Sequence, residues 1–349
     1  MTTPKVAFVT GVTGQDGAHL AHRLLEDGWT VYGGFRRGSS NKTWRMDYLG
    51  ITKRLKLVEC QLGELQNLIQ LLQQIQPTEI YNLAGESFVA DSFKYPGVNV
   101  EINTLGVLNI LEAVKLACPA ARLFCASTAE IFGHGGGNGD GLLNEASECR
   151  PVNPYGISRL AAQNFVRLYR DRYKLFACSG ILFNHEGLLR GREYVTRKIA
   201  FNMARLRVSG GNPVELGDLD ASRDWGAADD YVRAMRAMLS LEKPEDLVIA
   251  TGRLTTVREA LRAAAVAAGY SPVFEHSGME EICLDKSTGT MLARVSKKYF
   301  RPHDTPSMAG DASRLRSLTG WPGSRSFEKL IGEMVAADID RWKAGITNV

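Results

Sequence analysis

A chain of 349 residues, 44% hydrophobic and 23% charged, has the composition of an ordinary globular protein with room for one large core or two modest ones. Its net charge of +4 is small for this length and contains no block of like charges, which argues against nucleic acid as a partner. No leader precedes the first strand-like run and no apolar stretch reaches membrane-spanning length, so a cytoplasmic protein with no membrane partner is expected.

From the first residues onward, short apolar runs alternate with amphipathic segments. Strands are expected at 5–10 (KVAFVT), 30–35 (TVYGGF), 55–60 (LKLVEC), 79–84 (EIYNLA), 122–127 (RLFCAS) and 175–183 (LFACSGILF). Helical patterns fall between them, for example at 17–28 and 103–117. Runs that are apolar throughout suit strands buried on both faces, and the alternation implies right-handed crossovers. The expected fold is α/β: a Rossmann-like doubly wound parallel sheet with a smaller C-terminal α/β domain for substrate. The first domain is placed at 1–183 with 224–252 returning to it, and the second at 184–349. The stretch 223–242 is read as the returning helix, and GHGGGNGDG (133–141) as a loop tip. Six cysteines without C-x-x-C spacing read as buried thiols, and six scattered histidines form no metal constellation.

The first strand leads into VTGVTGQDGAHLAHRLL, with Gly11, Gly14 and Gly17 between strand and helix. Glycines permit a tight turn and close approach of a pyrophosphate, and a helix N-terminus offers free N–H groups and a positive dipole end. Because this loop opens a βαβ unit, it predicts dinucleotide binding. The second strand ends in Arg36 and Arg37 rather than an acidic residue that would accept a ribose 2′-hydroxyl. Arginines there suit a 2′-phosphate, so NADP is the expected cofactor.

The fifth strand runs into STAEIFG, which puts Thr128 and Glu130 above a sheet edge. NPYGISR follows, with Pro154 suited to a helix start and Tyr155 and Arg159 on one helix face. A phenol is too weak an acid to act as a base at neutral pH. A fixed cation at about 6 Å favours phenolate by roughly 3 kcal/mol at an effective dielectric near 20. Tyr155 with Arg159 can therefore act as a base, although arginine is longer and planar where lysine is compact.

Together, GVTGQDG, FRRGSSNKTWR, EIYNLAGESFVADSF, STAEIFG, NPYGISR, GILFNHEG, RGREYVTRKI, LGDLDASRDWG and YFRPHD resemble the extended short-chain dehydrogenase/reductase family. Within it they are most similar to the GDP-mannose 4,6-dehydratase subgroup. The resemblance implies conversion of a GDP-hexose or heptose to a 4-keto-6-deoxy sugar, with Thr128, Glu130, Tyr155 and Arg159 as the catalytic set. It implies cofactor contacts from Gly11, Thr13, Gly14, Gln15, Asp16, Gly17, Arg36, Arg37, Asn41, Arg45, Gln61, Leu62, Leu83 and Ala84, besides Tyr155 and Arg159. It also implies substrate contacts from Ser87, Thr128, Asn184, Glu186, Lys198, Leu216, Gly217, Arg223, Arg301 and Asp304, and assembly as a homo-oligomer, a tetramer.

Departures from the family pattern gather at the sugar end. Arg159 stands where a lysine is usual, Ala129 where Ser or Asp is, and AGESFV (84–89) replaces AAQSHV, placing Glu86 and Phe88 beside the sugar, while near the adenine Gln61 stands where Asp is usual. GLLRG (187–191) replaces SPRRG, Asp218 replaces Asn and Asp304 replaces Glu. A C4 epimerase, dehydrogenase or 4-keto reductase on the same scaffold remains an alternative, as does a catalytically weak nucleotide-sugar binding protein. Retention of Glu130 favours the dehydratase.

Overall fold

The computed structural model describes residues 5–36, 43–135, 141–300 and 307–346. The chain divides into two compact units, Met1–Phe183 with Ala228–Ala250 and Gly310–Gly323, and Asn184–Ala227 with Thr251–Ala309 and Ser324–Val349.

Seven strands form the sheet of the first unit: β1 (Val6–Thr10), β2 (Thr30–Phe35), β3 (Lys56–Glu59), β4 (Glu79–Asn82), β5 (Arg122–Ala126), β6 (Ala177–Leu182) and β7 (Leu247–Ile249). They lie in the order β7-β6-β5-β4-β1-β2-β3, and every neighbouring pair is parallel. The chain steps outward from β1 to β2 and β3, then crosses back to β4 on the other side. That reversal opens a crevice beyond the C-terminal ends of β1 and β4, where ligands of doubly wound sheets bind. This is the Rossmann-like fold expected from the alternating pattern.

Helices α1 (Gln15–Glu26), α2 (Leu65–Ile75), α3 (Gly106–Ala117), α4 (Pro154–Tyr173) and α5 (Ala228–Leu239) belong to the same unit. Leu68, Leu72, Ile110, Leu111, Val114 and Val166 of α2, α3 and α4 pack with Phe8, Ile80 and Leu123 of the strands. Side chains alternate across a strand, so Tyr81 and Phe124, with ring centroids 6.3 Å apart, face the other side. Helix α5 packs against β5, β6 and β7, and against α1.

Three elements differ from the sequence expectation. The stretch 223–242 is a strand, Ser222–Ala227, before it becomes α5. Trp225 there is buried and aligned with Asn184 in a parallel pair, so sheet pairing overrides the helical pattern. The helix expected from 103 is preceded by a π turn, Glu101–Leu105, and only then becomes α3. Gly310–Gly323, expected in the second domain, belongs to the first unit. The Asp311 N–H donates to the Leu143 carbonyl (2.8 Å), and Trp321 Nε1–H donates to the Asp230 carbonyl (3.1 Å).

The second unit holds a three-stranded sheet of Leu254–Thr256, Ser222–Ala227 and Asn184–Glu186. A four-stranded sheet follows the order Pro272–Glu275, Ile282–Asp285, Met291–Val295, Val214–Leu216. Helices Val195–Ser209, Val257–Ala267 and Phe327–Lys343 share a core of Ile199, Met203, Trp225, Leu261, Ile331 and Met334. The helix at Val257 begins with a capping box between Thr256 and Glu259.

Among the described residues no helix is long and apolar enough to cross a membrane, and no group of three or more His, Cys, Asp or Glu could hold a metal. The six cysteines are unbridged, and burial pushes the thiols of Cys60, Cys118, Cys125 and Cys283 up to about 12, which makes them unreactive.

Candidate active site

β1 ends at Thr10, and the chain turns through Gly11 and Gly14 into α1. Gly11 has φ +69°, and a Cβ there would sit 2.8 Å from the Ala84 nitrogen. Gly17 leaves no room for a Cβ beside the Gly11 carbonyl, so α1 packs directly on the turn. The Thr10 hydroxyl donates to Asn82 Oδ1 (2.7 Å) and accepts from the Ala84 N–H (3.2 Å), tying the turn to the end of β4. Arg45 Nη1 donates to the Thr13 carbonyl at 3.0 Å. Gly14 offers no side-chain cap to α1. The result is a cradle lined by backbone at a helix N-terminus, which fits a dinucleotide pyrophosphate.

Thr128 follows β5 and caps the short turn Ala129–Ile131, its Oγ1 accepting from the Glu130 N–H at 3.3 Å. Asn153 caps α4: Oδ1 accepts from the Gly156 N–H and Nδ2 donates to Glu130 Oε2, both at 2.8 Å. One amide therefore fixes the start of the tyrosine helix and the direction of the carboxylate. A Cβ on Gly156 would lie 2.5 Å from the Glu130 carbonyl oxygen, so helix and turn are in direct contact. Tyr155 and Thr128 are each 8% exposed.

Below them, Ser158 Oγ donates to the Tyr155 carbonyl and Thr104 Oγ1 donates to the Ser158 carbonyl, both at 2.8 Å. Asn103 Nδ2 donates to Ser158 Oγ at 3.3 Å. Asn103 and Thr104 lie in the π turn, a widened helical turn of the kind that frequently marks functional sites.

Arg159 is 4% exposed, and its Cζ lies 5.6 Å from the centroid of the Tyr155 ring. Nη1 donates to the Ala126 carbonyl at 3.1 Å, while Nε is buried with no acceptor among the described residues. An orphaned buried donor beside the tyrosine fits a hydroxyl-bearing ligand, such as a cofactor ribose.

The remaining residues of the first unit are less concentrated. Gln15 Nε2 donates to Asp16 Oδ1 at 3.4 Å, and the Gln61 N–H donates to Asn67 Oδ1 at 3.1 Å. The Leu62 carbonyl accepts from Asn109 Nδ2 at 2.9 Å, while Leu83 and Ala84 continue from β4. Ser87 is exposed. Glu86, expected beside the sugar, has its carboxylate 3.7 Å from Arg36 Nη1. Both side chains are largely exposed, so the pair is worth about 0–1 kcal/mol.

In the second unit, Glu186 is 2% exposed, accepts from Thr196 Oγ1 (2.6 Å) and pairs with Arg190 Nε (3.0 Å). Its carboxylate is thus engaged within the unit. Asn184 pairs with Trp225 in register. Lys198 Nζ donates to the Glu215 carbonyl (2.6 Å) and lies 3.4 Å from the Tyr299 ring centroid. Burial holds the Lys198 ammonium below the usual lysine range. Leu216 is buried, and Gly217 has no room for a Cβ against the Tyr299 carbonyl. Arg223 Nη1 donates to the Ser222 carbonyl at 2.7 Å. Arg37, Asn41, Arg301 and Asp304 lie outside the described residues.

Three participants were not singled out from the sequence: Asn153, Asn103 and Tyr299. Asn153 carried a signal, since Asn before Pro is a strong helix-start pair. Asn103 carried none, because a π turn has no local pattern. Replacing Asn153 with alanine removes a cap worth about 1 kcal/mol and frees the Glu130 carboxylate. Asn153→Ala is expected to lower Tm by about 3 °C and kcat by about tenfold, measured by calorimetry and steady-state kinetics.

The family model for GDP-mannose 4,6 dehydratase matches residues 8–334. A GDP-mannose 4,6-dehydratase of Yersinia enterocolitica is 37% identical over 361 residues, covering 97% of this chain and 95% of that protein. The Homo sapiens GDP-mannose 4,6 dehydratase is 38% identical over 343 residues, covering 96% and 91%. A crystal structure of a UDP-glucose 4-epimerase from Thermotoga maritima superposes with a TM-score of 0.79 at 21% identity, covering 97% of this chain and 99% of that one. At that identity the likeness is one of fold.

Proposed function

The chain belongs to the GDP-mannose 4,6 dehydratase family, and from that premise we propose that it converts a GDP-hexose to the GDP-4-keto-6-deoxy sugar. The observation that carries this is the joining of Glu130 to the start of the Tyr155 helix through Asn153. Oxidation at C4 needs one base; elimination across C5 and C6 needs a second, and a carboxylate held beside the tyrosine helix is suited to it.

Tyr155 takes the proton of the C4 hydroxyl while Thr128 hydrogen-bonds that oxygen. A bound nicotinamide cofactor supplies storage for the hydride lost at C4 and gained at C6, so the reaction has no net redox change. Glu130 removes the C5 proton, which the new C4 ketone has acidified, and passes it to the C6 hydroxyl, which leaves as water; C5 then regains a proton from Tyr155, which holds the one taken from the C4 hydroxyl. Arg159 keeps a permanent positive charge beside the Tyr155 ring and offers Nε–H to the cofactor ribose. Asn184, Lys198 and Arg223 supply donors and charge suited to a nucleotide diphosphate. Incubation with GDP-mannose followed by mass spectrometry tests the proposal: loss of one water supports it, and unchanged mass with altered stereochemistry would replace it with epimerisation.

The Gly11, Gly14 and Gly17 cradle holds the cofactor pyrophosphate, and Arg36 and Arg45 select NADP over NAD. The exposed Arg36–Glu86 pair is weak enough to yield to a phosphate, whose hydrogen bonds to arginine are worth about 1.5–3 kcal/mol. Arg36→Ala is expected to weaken NADP+ binding by about tenfold or more and leave NAD+ affinity nearly unchanged. Isothermal titration calorimetry with both cofactors checks this; equal affinities in the unsubstituted protein would rule it out.

The protein assembles as a homo-oligomer, a tetramer. Leu105 and Leu116 around α3, with Ile157, Leu168 and Tyr173 on α4, are each about half exposed, and α3 packs beside α4. An apolar surface of this kind suits a subunit contact. A monomer by light scattering at micromolar concentration would contradict it.

A further inference from the structure

Gly85 and Arg159 occupy one small space. A Cβ built on Gly85 would overlap Arg159 Nη2, and would lie 2.9 Å from its Cζ and 2.8 Å from Asn103 Oδ1. No backbone atom is among these nearest neighbours, and Gly85 is absent from the residues with positive φ. The chain conformation therefore does not demand glycine at this position. The Arg159 guanidinium, with the Asn103 amide oxygen beside it, fills the place that a side chain would take.

The opposite wall of that space is fixed. Asn103 Oδ1 accepts from the Glu86 N–H and Asn103 Nδ2 donates to the Glu86 carbonyl, both at 3.0 Å. The loop after β4 is thus pinned in two places one residue beyond Gly85. A methyl group at 85 would displace the flexible end of Arg159 before it displaced the loop. Moving that end is consequential, because the guanidinium is buried and donates to the Ala126 carbonyl.

We propose that Gly85 is a positioning residue for Arg159: the missing side chain admits a planar guanidinium beneath the loop after β4 and so aims it beside Tyr155. A shorter ammonium at 159 would need no such space. The proposal rests on the reading of Arg159 as the cation of the hydride-transfer site.

A double-mutant cycle of Gly85→Ala and Arg159→Lys, read by ligand-free Tm, by NADP+ affinity and by kcat and KM, tests it. Gly85→Ala alone is expected to lower Tm by about 3 °C and to weaken NADP+ by about tenfold. With Arg159→Lys present, the same Gly85→Ala change should cost less than about a third of either effect, so the double variant regains cofactor affinity and kcat. A Gly85→Ala protein that folds only in the presence of Arg159→Lys also supports the proposal. Additive effects in the two backgrounds, or failure of both alanine variants to fold, overturn it. If none of the four proteins bound NADP+, the functional reading would fall, while the ligand-free Tm cycle would still decide the Gly85–Arg159 coupling.

Discussion

Tyr155→Phe is expected to lower kcat by about 10²–10⁴-fold, the range for losing a positioned acid–base group, while leaving the fold intact. The ring is 8% exposed at the start of α4, and its packing is retained by phenylalanine. Asn153 still caps the helix, and the Ser158 hydroxyl still donates to the carbonyl of residue 155, since both contacts are to side-chain-independent atoms. Only the phenolic oxygen is removed, so the C4 hydroxyl proton has no acceptor. Because oxidation at C4 comes first, neither reduced nicotinamide absorbance nor loss of water should appear. Tm should change by no more than about 2 °C, which separates chemistry from folding. Normal turnover would remove Tyr155 from the catalytic set.

Glu130→Gln should split the reaction at its second step. Glutamine has nearly the shape of glutamate, and its carbonyl oxygen can still accept from Asn153 Nδ2, so the tie to α4 survives. The bond from the Glu130 N–H to Thr128 Oγ1 involves backbone and is untouched. An amide cannot take the C5 proton. Oxidation at C4 should proceed and stop, with nicotinamide absorbance rising toward one equivalent per subunit and no dehydrated sugar in the mass spectrum. The rate of water loss should fall by about 10²–10⁴-fold. Unimpaired water loss would assign the second base elsewhere. The outcome also differs in kind from that of Tyr155→Phe, where the first step is lost, so the two variants together order the two groups in the reaction.

How the two groups meet was only half visible in the chain. Thr128 and Glu130 could be placed at a strand end because RLFCAS is followed by STAEIFG, and strand ends of such sheets carry ligands. Tyr155 could be placed at a helix start because Pro154 suits the first helical position. The hydrogen bond from Asn153 to Glu130 spans 23 residues, and no spacing rule encodes it. Glu86 shows the same limit: the expectation that it lies beside the sugar comes from family pattern, while its pairing with Arg36 follows from the path of a loop.

By itself, then, the sequence determined whatever depends on neighbours along the chain. The strand and helix alternation, the glycine turn into α1 and the cap of α4 are set by side-chain period, by φ and by the first unpaired N–H groups, all of which act within a few residues. Tertiary structure alone decided the rest. Ser222–Ala227 is a strand because Asn184–Glu186 lies beside it to pair with, and Gly310–Gly323 returns to the first unit because Leu143 and Asp230 offer carbonyls there. Arg159 takes its buried place because Gly85, 74 positions earlier, has no side chain to refuse it. Contacts of that kind are made between residues brought together only after the chain has folded, so they leave no periodic trace in either of the segments they join.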